Sequence, residues 1–68
     1  MVDKTTKVHD AIKIALEKEK ATYKFYKKAA NDVTDPGAKK MFSFLAEEEH
    51  KHIKMLEEEY DENILQEM

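Results

Sequence analysis

Apolar residues recur along this chain at helical spacing in two long blocks, and an acid sits at the centre of each stripe. In the first block Val8, Ile12, Ala15, Tyr23, Tyr26, Ala30 and Val33 point within about 40° of Glu19, at roughly 100° per residue. In the second, Phe42, Leu45, Ile53, Leu56 and Tyr60 point within about 40° of Glu49, and His52 lies about 60° away on the same stripe. An ionisable side chain where the pattern predicts core needs a partner strong enough to offset its lost hydration. A bound metal ion is such a partner.

The pattern predicts two helices and no strand. The single glycine and single proline of the chain fall together at Pro36 and Gly37, which leaves room for one connection. The first helix is expected over about residues 6–33, with Thr5 or Thr6 as N-cap. The second is expected over about residues 36–62, with Asp35 as N-cap and Pro36 as first helical residue. Residues 1–68 thus read as one all-α unit, an antiparallel two-helix hairpin. Glu19 to Val33 spans about 21 Å of helix and Pro36 to Glu49 about 20 Å, at a rise of about 1.5 Å per residue. The hairpin therefore sets the two acids level, and His52 follows Glu49 by one turn on the same face.

Composition narrows the chemistry. With 68 residues and no cysteine, the chain has neither disulfides nor thiolate metal sites, so extra stability must come from a carboxylate–imidazole metal site, self-association, or both. Every one of its basic residues is lysine, and with 15 acids the net charge is −3, which argues against nucleic acid as a partner. The first residues lack the apolar run of a signal peptide, and no apolar stretch approaches a membrane span. A cytoplasmic protein without a membrane partner is the expectation.

Glu-x-x-His occurs twice, as Glu47…His50 and Glu49…His52, and helical phase separates the two. Glu47 points about 160° from Glu49, as Glu17 does from Glu19, so both are assigned to solvent. Glu19, Glu49 and His52 are the candidate metal ligands. Tyr23 and Tyr26 flank Glu19, as core packing or, Tyr26 in particular, as support for a ligand. Phe25, Phe42, Phe44 and the methionines read as core and interface. Lys18, Lys20, Lys24, Lys27 and Lys28 face Glu47, Glu48, Glu57, Glu58 and Glu59 as complementary solvated faces. The competing readings are a hydrogen-bonded polar cluster with no ion, and a purely structural helix pair.

The segments Glu19-Lys-Ala-Thr-Tyr-Lys-Phe25-Tyr26 and Leu45-Ala46-Glu-Glu-Glu49-His-Lys-His52 resemble the metal-binding helices of rubrerythrin and its ferritin-like relatives. The resemblance covers about residues 5–60 and implies metal-ligand roles for Glu19, Glu49 and His52. Family members usually carry four helices in one chain, and full-length rubrerythrins add a cysteine-ligated domain. This chain has half the bundle, Thr22 where the family has glycine or alanine, and an extra His50. Two copies about a two-fold axis supply four carboxylates and two imidazoles, the ligand set of ferritin-like di-iron bundles. The resemblance implies a homodimer or higher homo-oligomer forming a four-helix bundle around two iron ions, with zinc or manganese as substitutes. It implies a di-iron oxidoreductase that reduces hydrogen peroxide with an external electron donor or oxidises ferrous iron. The alternative is a non-catalytic metal-binding or iron-storage subunit.

Overall fold

The computed structural model describes residues 7–67, with side chains over residues 7–62. Two helices, α1 (Val8–Asp32) and α2 (Pro36–Glu67), pack as a hairpin with extents of 49 × 21 × 13 Å. No strand is present among the described residues. α1 has Lys7 at its N-cap, in extended conformation, with its carbonyl accepting from the Ala11 N–H at 3.0 Å and no side-chain cap. The expected threonine cap, Thr5 or Thr6, lies outside the described residues. α2 runs on to Glu67, five residues past the expected end near residue 62.

The connection of Val33, Thr34 and Asp35 turns the chain without any positive φ. α1 closes with the Val33 N–H donating to the Ala29 carbonyl at 3.0 Å, and Val33 itself is extended. Asp35 caps α2 as anticipated: its carboxylate accepts the Ala38 N–H at 2.8 Å, leaving Pro36 in the first turn where no N–H is missed. A Cβ at Gly37 would come within 3.3 Å of that carboxylate oxygen, so glycine keeps the cap undistorted. From the first turn of α2, the Lys39 ammonium reaches back to donate to the Ala30 carbonyl at 2.6 Å, satisfying one of the orphaned carbonyls at the end of α1. Lys28 offsets the adverse charge of Asp32 in the last turn of α1; their 2.7 Å hydrogen bond lowers the Asp32 pKa and raises that of Lys28.

The core is small. Leu16, Ala46 and Ile53 are the buried apolar residues among those described, and they mark the direction in which each helix faces the other. Ile53 belongs to the expected stripe, whereas Leu16 and Ala46 lie about 60° from its acidic centre. The stripe is wider than one neighbouring helix can cover, so the hairpin buries one shoulder and leaves the other open. Val8, expected in the stripe, is exposed at the first residue of α1. Phe25, Met41, Phe44 and Met55, expected in core or interface, are each at least half exposed. Of the complementary charged faces, Lys20 pairs across the helices with Glu57 at 3.8 Å, while Lys28 and Glu48 pair within their own helices.

Candidate metal centre

Each candidate ligand is set by helical phase alone. Turning from Leu16 on α1 and from Ile53 on α2, Glu19 and Glu49 lie about 60° and 40° round toward the open shoulder, and His52 about 100°. Because the helices run antiparallel, those rotations bring all three side chains to the same side of the hairpin. Glu19, on α1, meets Glu49 and His52 on α2, with one ligand atom from each inside a 4.8 Å span. His52 Nδ1 stands 3.6 Å from a Glu49 Oε2 and 3.8 Å from a Glu19 Oε2. Both separations exceed a hydrogen bond.

Burial is graded across the cluster. The Glu49 side chain is 16% exposed, Glu19 31% and His52 49%. None is fully buried, which corrects the expectation from periodicity that all three sit in core. The physical reason is the same open shoulder: the stripe centre points along the diagonal between the neighbouring helix and the uncovered face. Glu49 Oε2 is nevertheless shielded from water with no hydrogen-bond partner. A buried acceptor left unmade costs about 1–3 kcal/mol, more when charged, so it calls for an explanation.

A cation would explain it. Oxygen and imidazole ligands sit about 2.0–2.2 Å from a divalent ion such as zinc, which sets neighbouring ligand atoms roughly 3.0–3.6 Å apart. The two separations from His52 lie at or just beyond that range, the whole set spans 4.8 Å, and the donor set, two carboxylates and one imidazole, suits iron, manganese or zinc. No hydrogen bond joins the three side chains to one another.

The remaining candidates fall outside the cluster. Glu17 and Glu47 are exposed. His50 is exposed too and its ring lies against Tyr23, centroids 6.0 Å apart, so the Glu47…His50 pair takes no part. Tyr26 packs on Phe42 and Phe25, centroids 6.1 and 5.6 Å away, and no hydrogen bond from its hydroxyl to the cluster occurs among the described residues. Leu16 and Ala46, which hold the helices at the spacing the site needs, escaped periodicity because neither lies near the centre of its stripe.

The rubrerythrin family model matches residues 1–60. The chain belongs to the rubrerythrin family. No curated protein and no solved structure shows significant similarity to it. Rubrerythrins are helical proteins that usually bind iron, and in this member a carboxylate–histidine group stands where both helices of the hairpin can supply ligands. Among the described residues no helix of this rubrerythrin is long and apolar enough to cross a membrane.

Proposed function

We propose that two copies of the hairpin pair through their open shoulders into a four-helix bundle holding two iron ions, and that the assembly is an oxidoreductase acting on hydrogen peroxide or ferrous iron. The observation that carries this reading is the convergence of Glu19, Glu49 and His52 around a buried, unpartnered Glu49 oxygen on a face that the hairpin leaves uncovered. One hairpin offers three ligands, too few to enclose a redox metal, and a two-fold partner doubles them. The open shoulder carries Tyr26, Leu45 and Leu56, half-buried, with His52 exposed among them. A second copy would bury them all. Tyr26 would then stand beside the metals as a support for Glu19.

When bound, paired irons supply two electrons to one oxidant. The chain's own groups would set the conditions: the four carboxylates would match the charge of two ferrous ions and favour their oxidation, the two imidazoles would complete the donor set, and the paired apolar shoulders would exclude water. Peroxide reduction consumes two electrons and two protons per molecule, giving two waters. An external donor must then return the electrons, since the chain has no cysteine or other redox centre. In ferroxidation ferrous iron is itself the reductant.

The test is anaerobic titration with ferrous iron followed by stoichiometric peroxide in stopped flow. Two irons per dimer, oxidised at least tenfold faster than free ferrous iron in the same buffer, support the reading. Tight zinc binding with iron oxidised no faster than in buffer would leave a metal-binding or storage subunit instead.

A further inference from the structure

We infer, resting on the iron-binding reading above, that Met55 is a modification site whose thioether takes up one oxygen atom from peroxide gathered at the carboxylate–histidine cluster. The acceptor sits beside the exposed ligand.

Met55 follows His52 by three residues, which sets their Cβ atoms about 5–6 Å apart on one flank of α2. Long helical side chains lean back over the turn that precedes them, so the Met55 thioether covers the ground beside His52. That is the watery side of the cluster, since the His52 side chain is 49% exposed against 16% for Glu49. Peroxide arriving from solvent meets the sulfur as it meets the imidazole. Met55 itself is 58% exposed and lies about 160° round α2 from the buried Ile53, so it takes no part in closing the hairpin. Its neighbours at one turn's spacing, Lys51, His52, Glu58 and Glu59, are all exposed. A single exposed methionine is ordinary on a helix surface, and it is the seat over the open edge of the cluster that gives this one a chemical role.

The thioether needs no reagent beyond peroxide. A sulfur lone pair attacks one peroxide oxygen, an S–O bond forms as the O–O bond breaks, and the second oxygen leaves with both protons as water. Sulfur loses two electrons and peroxide gains them. Peroxide held at the cluster is presented to this sulfur at an effective concentration far above its value in solution, which singles Met55 out from other exposed methionines. The product, methionine sulfoxide, is polar and is returned to the thioether by sulfoxide reductases. Because the chain has no cysteine, methionine is its only sulfur-bearing residue. An oxygen atom absorbed at Met55 spares the ligands and alters a side chain on which the core does not depend.

Met41 is the internal control, 50% exposed and on the same flank of α2, but eleven residues, about 16 Å of helix, from His52. Iron-loaded protein is given stoichiometric peroxide, and sulfoxide at each methionine is followed over time by peptide mass spectrometry with fragmentation. Met55 should gain oxygen at least tenfold faster than Met41 when iron is bound, and within about threefold of Met41 in the metal-free protein, where exposure alone decides. Equal rates in iron-loaded protein that still consumes peroxide quickly overturn the inference and leave the iron site standing. Failure to bind iron, or to consume peroxide faster than free ferrous iron does, removes the iron reading and the inference with it. A preference for Met55 that is just as large without iron traces to local exposure and also overturns the link to the cluster. Met55→Leu nearly keeps the side-chain volume and should bind iron and melt as the parent does, yet lose the fast oxygen uptake with none of it reappearing at Met41. Fast uptake transferred to Met41 in that variant counts against the inference.

Discussion

At the residue scale the informative atom is Glu49 Oε2, which the fold shields from water and leaves without a hydrogen bond. Such an atom is costly without a partner, so on the metal-binding reading the site would work against the hairpin until an ion is bound. Glu49→Gln should accordingly abolish stoichiometric metal binding, measured by calorimetry with zinc, while leaving the metal-free protein as stable as the parent or more stable by up to about 1 kcal/mol. His52 is half exposed and loses little packing when cut back, so His52→Ala should lower metal affinity by tenfold or more with the melting curve of the metal-free protein unchanged. Glu17→Gln and Glu47→Gln face solvent and should bind metal like the parent in the same titration.

At the scale of the element, the hairpin depends on a short connection whose polar groups are nearly all accounted for. Asp35 holds the start of α2, and Lys39 holds the end of α1 from the other side of the turn. Asp35→Ala should destabilise the fold by about 1 kcal/mol, read from the denaturation midpoint at constant slope, because the Ala38 N–H loses its acceptor. Core substitutions act through the spacing of the helices. Leu16→Ala removes the buried apolar anchor of α1 and should cost about 2–3 kcal/mol, and because it lets α1 drift from α2 it should also weaken metal binding without touching a ligand.

At the scale of the molecule, three buried apolar side chains among the described residues are a thin core for a helix pair 49 Å long. On the reading proposed above, association and metal supply the missing stability. Both act by mass action on the folded state, so the melting temperature should rise with protein concentration and rise further with zinc or ferrous iron. Zinc at a hundred times its dissociation constant should add about 2.7 kcal/mol, and a chelator should remove that gain. A melting temperature independent of protein concentration over a hundredfold range would count against the paired assembly.

The sequence by itself determined the two helices, the turn at Asp35 and Pro36, and the level at which Glu19 meets Glu49 and His52. Each follows from local rules: periodicity, capping preference, and a constant rise per residue that makes equal helix lengths from a turn equal heights. It also separated Glu49 and His52 from the look-alike pair Glu47 and His50, since phase on one helix is a local quantity. Only the tertiary structure decided which part of each stripe is buried. The contact between two helices is narrower than an apolar stripe, and where it falls depends on how both surfaces fit, so Leu16 and Ala46 became core while Val8 and the ligands were left toward the open shoulder. That choice gave Glu49 a dry oxygen with no hydrogen-bond partner and left His52 at the surface, a division of burial that no pattern along one chain encodes.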